Sequence, residues 1–187
     1  NLSGADVAAA SAAFDFAANI IASQYTDNIQ INITLAADPT PGVLGGSSSF
    51  LFGPISYAQL ISAMGSDASS TADASGLAAM PGTDPSGDNQ YYITRAQAKA
   101  LGFIPSDAST DGTFTFGTAQ TYTYSTTARS VGGAYDFVGV CLHEISEIMG
   151  RIPGLHFDLG NGPTCMPYDL FRFTSSGVRN FTDAAGV

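Results

Sequence analysis

The stretch Val140-Cys141-Leu142-His143-Glu144-Ile145-Ser146-Glu147-Ile148-Met149-Gly150-Arg151 decides how the rest of this sequence is interpreted. Its apolar residues recur at steps of three and four, which is the spacing of one face of a helix. Gly150 and the pair Pro153-Gly154 follow, and such residues commonly end a helix. The stretch therefore predicts a helix that ends near Gly150.

The acidic residues of this helix are unusual for the chain. The sequence contains two Glu and fourteen Asp, and both Glu, at 144 and 147, lie here beside one of the two histidines, His143. Residues four apart share a helical face, so His143 and Glu147 can meet at one ion. Imidazole nitrogen and carboxylate oxygen are both zinc ligands. The spacing follows the logic of His-Glu-x-x-His zinc motifs, with Glu147 in place of the second histidine and Glu144 as the general base.

A catalytic zinc site needs a third protein ligand and one open position for water. His156 is the only other histidine and lies thirteen residues beyond His143, after a break that lets the chain turn back. We therefore predict His156 as the third ligand, with Asp158 and Asp169 as alternatives. The phenol of Tyr168 is predicted to donate to the oxyanion that develops on the substrate carbonyl, the alternative being a packed aromatic side chain.

The two cysteines, Cys141 and Cys165, are the only thiols of the chain. In an exported protein they could form one disulfide, closing a loop whose chain entropy is worth about 3 kcal/mol. Cys141 precedes His143 by two helical steps, about 200° around the axis, so it is placed for structure rather than for metal binding. We predict the disulfide, and the alternative is a pair of buried free thiols.

Composition limits the classes of function. The chain has 187 residues, of which 44% are hydrophobic, as expected for one globular domain covering residues 1–187. Charged residues make up only 12%, the net charge is −10, and Lys99 is the single lysine, so a nucleic-acid partner is not expected. No apolar run approaches the roughly 18 residues of a membrane span, so membrane insertion is not expected either. A surface rich in Ser, Thr, Asn and Gly is typical of a secreted protein.

The remaining elements predict an α+β fold. Residues 7–23 have helical spacing, residues 28–35, 113–117 and 121–124 alternate as strands do, a second strand is expected over 47–52, and short helices are predicted over 57–64 and 94–101. Helices and strands mix without strict alternation, which favours an α+β domain. We expect a twisted mixed sheet packed on the first helix and the motif helix. The strand at 121–124 is expected to lie at an edge and to pair with an extended peptide.

Two segments carry a resemblance to a known family. Residues 136–151 and Tyr168-Asp169-Leu170-Phe171-Arg172-Phe173 resemble secreted bacterial zincin-like proteins, some of which bear C-terminal sorting signals. The resemblance covers at least the last third of the chain. Members commonly show His-Glu-x-x-His-x-x-Gly with an Asp near the place of His156. This chain would exchange the two residue types, with Glu147 and His156 in those places.

The string Thr164-Cys165-Met166-Pro167-Tyr168 resembles the Met-turn of metzincin proteases. This implies that Met166 is the Met-turn methionine and that Tyr168 assists catalysis. Chains of the zincin-like family also tend to continue beyond the point equivalent to Val187.

The residues and the resemblance together imply a secreted zinc-dependent metalloendopeptidase with a zincin-like fold. It would hydrolyse peptide or protein substrates through a zinc-activated water, with Glu144 as the general base. One alternative is a non-catalytic surface or matrix binding protein on a decayed metalloprotease scaffold. Another is a metal-stabilised structural domain. An open ligand position favours the enzyme, and a closed four-ligand site favours the structural role.

Overall fold

The structure is a computed structural model that describes residues 4–182, and its fold is of the α+β class, as predicted. The helices are α1 (Gly4–Ala22), α2 (Tyr57–Asp67), α3 (Thr71–Ala78), α4 (Arg95–Ala100), α5 (Phe137–Ile148) and a 3₁₀ helix (Pro167–Phe171). The strands are β1 (Ile33–Asp38), β2 (Gly45–Ser49), β3 (Leu51–Ile55), β4 (Tyr91–Thr94), β5 (Gly112–Gly117), β6 (Tyr122–Thr123), β7 (Tyr135–Asp136), β8 (Phe157–Asp158), β9 (Pro163–Thr164), β10 (Phe173–Ser175) and β11 (Val178–Arg179).

The described residues group into two compact units, each built from two stretches of the chain. The first unit contains residues 4–50 and 107–149, and the second contains residues 51–106 and 150–182. The motif helix α5 belongs to the first unit, whereas His156, Cys165, Met166 and Tyr168 belong to the second. The single domain over residues 1–187 stays a prediction.

A three-stranded mixed sheet with the order β1-β5-β2 forms the centre of the first unit. β5 runs parallel to β1, from Ile33 opposite Gly112 to Asp38 opposite Gly117. β2 runs antiparallel to β5, from Gly45 opposite Phe116 to Ser49 opposite Gly112. The alternating sequence of β5 sends the ring of Phe114 to one face of the sheet, where it is fully buried.

Helices α1 and α5 pack against each other and supply the rest of this core. Small residues on α1, Ala10, Ala13 and Ala17, are buried there. The ring of Phe14 stacks on that of Phe114 at 5.9 Å between centroids, and Phe137 at the start of α5 lies 6.2 Å from the same ring. The expected packing of a mixed sheet on the first helix and the motif helix is found within this unit.

The first strand begins later than the predicted 28–35, at Ile33. Its partner β5 begins at Gly112, so the residues before Ile33 have no opposite residue in β5. Asn32 is instead held by polar contacts: its backbone N–H donates to Asp111 Oδ2 at 2.7 Å, and its side-chain amide donates to the carbonyl of Asp107 at 2.7 Å. Alternation predicted the extended backbone but not the point where pairing starts.

The strand at residues 121–124 also differs from the prediction that it forms the edge of the sheet. β6 pairs in parallel with β7 and is not a member of the three-stranded sheet. In the part of the chain that the structure describes, the edge of that sheet beside α5 is formed by β2, whose sequence is Gly-Gly-Ser-Ser-Ser. A second strand was expected over 47–52, which overlaps β2, but two glycines and three serines give little alternating signal, and β2 was not predicted to be the edge strand.

The second unit has a separate core around Leu60, Tyr91 and Ile93, with α2 and α4 packed near the antiparallel pair β3 and β4. Beyond Gly150 the unit contains only short elements: the pairs β8–β9 and β10–β11 and the 3₁₀ helix. None of the helices within residues 4–182 combines the length and the apolar character needed to cross a membrane.

Candidate functional site

Helix α5 is fixed at its N-terminus by an ion pair. Asp136 precedes the helix, and the Arg129 guanidinium donates to its carboxylate, with Nη2 2.6 Å from Oδ2 and Nε 2.9 Å from the same oxygen. These bonds from Arg129 hold the pKa of Asp136 below its usual value, although partial burial opposes the shift. A carboxylate at this end also interacts favourably with the helix dipole.

One face of α5 is buried, and the candidate site lies beside it. The buried positions of the helix are Phe137, Val138, Cys141, Glu144, Ile145 and Ile148. Glu144 is the exception in this set, since its carboxylate side chain is only 7% exposed. His143 lies at the surface with 57% of its side chain exposed, and Glu147 is half-buried at 27%.

The two predicted helical ligands meet. His143 Nε2 lies 3.1 Å from Glu147 Oε1, as expected for residues four apart on a helix. The other carboxylate oxygen of Glu147, Oε2, accepts a hydrogen bond of 2.7 Å from the hydroxyl of Ser47 on β2. Glu147 therefore connects the motif histidine to the edge strand.

Strand β2 also approaches Glu144. A Cβ atom placed on Gly45 would lie 2.6 Å from Val140 Cγ1 and 3.3 Å from Glu144 Oε1. The absence of a side chain at position 45 thus lets the strand lie close to α5. Because alternate residues of a strand share a face, Gly45 and Ser47 both point towards the helix. The two glutamates are consequently bordered by the same edge strand.

The predicted third ligand, His156, lies in the second unit and is exposed. Its backbone has a positive φ of 61°, and its N–H donates to the carbonyl of Thr164 at 2.9 Å. The alternative ligand Asp158 is exposed in the same unit. Its Oδ1 accepts hydrogen bonds from the backbone N–H groups of Gly160 at 2.7 Å and Gly162 at 3.1 Å.

The second alternative ligand, Asp169, has a structural role. It is fully buried, and its Oδ2 accepts two hydrogen bonds of 2.9 Å, from the backbone N–H groups of Gly154 and Met166. This carboxylate ties the segment that follows α5 to the start of the 3₁₀ helix. Met166 is buried there, whereas the side chain of Tyr168 is 43% exposed. The catalytic role of Tyr168 and the Met-turn role of Met166 stay predictions.

The description of this protein as a zincin with a complete metal centre needs correction. Within residues 4–182 no group of three or more His, Cys, Asp or Glu side chains is arranged to hold a metal ion. His143 and Glu147 come together, but His156 is not grouped with them. The two alternative ligands are turned towards backbone N–H groups of their own unit. Helical spacing correctly predicted that His143 and Glu147 lie together. Spacing along the sequence does not predict where His156 lies, because an irregular segment separates it from the helix.

The predicted disulfide between Cys141 and Cys165 is wrong, because both residues are free thiols. Cys141 is packed in the core of the first unit and Cys165 in that of the second. Burial raises the pKa of each thiol to about 12, so neither is a reactive thiolate near neutral pH. The alternative considered from the sequence, a pair of buried free thiols, is the one found.

Two contacts of the site were missed by sequence reasoning. Ser47 gives no signal, because it lies in a Gly- and Ser-rich run and meets Glu147 only through the packing of β2 on α5. Asp136 was detectable in principle, since an acidic residue just before an apolar helical run is a common N-terminal signal.

No protein-family model, curated protein or solved structure matches this chain.

Proposed function

We propose that this chain hydrolyses peptide bonds at the part of α5 that carries His143, Glu144 and Glu147, with zinc as the cofactor and a zincin-like arrangement of helix and edge strand. The observation that carries the proposal is the course of β2, an edge strand among the described residues that borders both glutamates. An edge strand can bind an extended peptide through main-chain hydrogen bonds, which would bring a peptide bond near these side chains.

The donors on α5 are compatible with zinc as a partial ligand set. His143 Nε2 and Glu147 Oε1, which lie 3.1 Å apart, are the two donor atoms that would hold zinc. With two protein ligands, affinity is expected to be weaker than in sites with three. The chemistry that zinc supplies when bound is Lewis-acid activation of water and of the substrate carbonyl.

Three side chains of α5 would bind the ion and transfer the proton. His143 and Glu147 would hold the ion, and Glu144 would accept a proton from water and return it to the leaving amine. The near-complete burial of Glu144 beside β2 supports this role, because a peptide paired with the strand would lie close to it. The composition supports an extracellular setting for this activity, with peptides or proteins as substrates.

The test measures cleavage of a peptide library by mass spectrometry, with added zinc and with a chelator, for the parent protein and for Glu144→Gln. We expect zinc-dependent cleavage that falls about 10²–10⁴-fold in Glu144→Gln, with zinc binding retained. Asp15→Asn is the matched control, since it removes an exposed carboxylate from α1 in the same unit. Equal cleavage by Glu144→Gln and the parent protein would exclude the proposed mechanism.

A second function is favoured by the absence of a three-residue metal group in residues 4–182. Under this second function, the chain binds peptides at the edge strand β2 but does not hydrolyse them. Equilibrium binding to the same library, measured beside cleavage, separates the two functions. Zinc-independent binding without any cleavage supports the binding protein.

A further inference from the structure

We propose that strand β2 selects extended peptides that carry lysine or arginine; this rests on the proposed function, in which β2 binds the peptide, but not on zinc. Two observations of the first unit support this class of substrate. One is the direction of the main-chain groups of β2, and the other is the net charge of the unit.

The hydrogen bonds at the two ends of β2 show which main-chain groups of the strand face away from the sheet. Just before the strand, the carbonyl of Leu44 accepts the N–H of Gly117 at 3.0 Å. Just after it, the N–H of Phe50 donates to the carbonyl of Asp111 at 3.0 Å. In an antiparallel pair every second residue exchanges hydrogen bonds with the residue opposite, and the residues between them turn their main-chain groups to the other side. The odd-numbered residues of β2 therefore face away from β5.

The outward-facing residues of β2 are Gly45, Ser47 and Ser49, and two of them border the glutamates of α5. A Cβ atom placed on Gly45 would lie 3.3 Å from Glu144 Oε1. The Ser47 hydroxyl donates to Glu147 Oε2 at 2.7 Å. Directly opposite residues of paired strands have their side chains on the same face of the sheet. A peptide paired with β2 would therefore direct every second side chain to the face that carries these carboxylates.

The first unit carries nearly all the negative charge of the described chain. It contains nine acidic residues, one arginine and no lysine, which gives a formal net charge of −8. The second unit contains six acidic and five basic residues, a net charge of −1. The single arginine of the first unit, Arg129, is paired with Asp136. The first unit is therefore strongly negative however its other polar contacts are arranged, and its field attracts cations.

An extended cationic peptide fits both observations. Its main chain would pair with the outward groups of β2, and its lysine or arginine side chains on the α5 face would approach a negatively charged unit. Attraction of this kind raises the local concentration of a ligand and its association rate by about 10–10³-fold, and it weakens as salt is added. An acidic peptide with the same backbone would be repelled, so charge determines which peptides bind.

The experiment measures the binding of three short peptides that differ only in having Lys, Gln or Glu at alternate positions. Fluorescence anisotropy is recorded with a chelator present, so that zinc-dependent cleavage does not enter the result. At about 10 mM salt, where the Debye length is about 30 Å, we expect the Lys peptide to bind at least about tenfold more tightly than the Gln peptide, and the Glu peptide to bind least. At about 1 M salt the affinities of the Lys and Gln peptides should agree within about twofold.

Two proline variants show whether the peptide binds at β2. Ser49→Pro removes an N–H that faces away from β5, so it should leave the sheet intact and weaken binding of the Lys peptide by about tenfold. Ala37→Pro is the matched control on β1, the other outer strand of the sheet within the described residues. The carbonyl of Asp38 accepts the N–H of Thr118 at 2.7 Å, so the N–H of Ala37 also faces away from β5. This control should bind the peptide as the parent protein does, and thermal unfolding shows whether both variants are folded.

A Lys peptide with N-methylated central amides gives the same test without changing the protein, and it should bind at least about tenfold more weakly. Equal affinities for the Lys and Gln peptides at low salt would overturn the inference. Full binding of the methylated peptide, or an equal loss in Ala37→Pro and Ser49→Pro, would do the same. Zinc-dependent cleavage without any charge preference would remove the inference and leave the proposed function. A preference for the Lys peptide without cleavage would keep the inference and support the second function.

Discussion

Helix α5 and the segment from Gly150 to Thr182 both carry residues predicted for the site, but they differ in how their structure arises. In α5 the backbone is regular, so a spacing of four residues places His143 and Glu147 3.1 Å apart. In the later segment the structured parts are two-residue or three-residue strands and one 3₁₀ helix. Its order comes from individual contacts, such as those of Asp169 with Gly154 and Met166. Spacing along the sequence predicts side-chain geometry only in the first case.

The two thiols give the largest effect expected from this comparison, since one lies in each region. A pKa raised to about 12 for Cys141 and Cys165, from a usual value near 9, lowers the thiolate fraction about 1,000-fold near neutral pH. We expect both to react with a thiol reagent at least that much more slowly in the folded protein than in denaturant. Counting thiols in denaturant without reductant should give two. Fewer than two would restore the disulfide that the structure contradicts.

The two histidines test the difference between the regions most directly. His143→Ala removes one of the two proposed zinc donors and is expected to weaken zinc binding by more than about 100-fold, beyond the usual loss for an outer partner. His156→Ala should change zinc affinity little, because within residues 4–182 His156 is not grouped with His143 and Glu147. Chelator competition on both variants gives the measurement. Equal losses would show that the later segment supplies a ligand after all.

Some features of the fold and of the candidate site could be predicted from the sequence, and others could not. The end of α5 at Ile148 agrees with the prediction, because periodicity and the following Gly150 are local signals. The strand β5 was predicted to within one residue, since Thr and Phe alternate there. The partner of Glu147 could not be predicted, because Ser47 reaches it only when the sheet packs on the helix. The disulfide was wrong for the same reason: two cysteines in one sequence do not reveal that they enter different cores.

Asp169 tests how much one buried contact stabilises the irregular segment. Replacing it by Ala leaves the backbone N–H groups of Gly154 and Met166 without their partner in a buried place. We expect the free energy of unfolding to fall by about 2–3 kcal/mol, as measured by chemical denaturation. Asp158→Ala is the matched control, because that carboxylate also accepts two backbone N–H groups but is exposed. A similar loss in both variants would show that burial is not what makes Asp169 important.

The smallest expected effect is a change in the free energy of unfolding on replacing Asp136, which precedes helix α5. Its pKa is lowered by the Arg129 guanidinium, so the folded protein holds the proton of this carboxyl less tightly than the unfolded chain does. The stabilisation is therefore complete above the unfolded pKa of about 3.9, and it is lost as the pH falls through the lower folded value. The side chains of Arg129 and Asp136 are 38% and 30% exposed, so solvent screening limits the ion pair to about 0.5–1 kcal/mol.

The measurement for Asp136 compares urea unfolding of the parent protein with that of Asp136→Asn at pH 7 and at successively lower pH. We expect the variant to be less stable at pH 7 by about the stated amount, and the difference to shrink at acid pH and at high salt. A difference that persists when the carboxyl is protonated would mean that Asp136 acts through packing rather than through charge. Gly139 makes that alternative concrete, since a Cβ atom placed there would lie 2.6 Å from Asp136 Oδ2. In either outcome, side chains such as Asp136 stabilise the start of α5. The regular helical backbone determines that His143 and Glu147 lie close together.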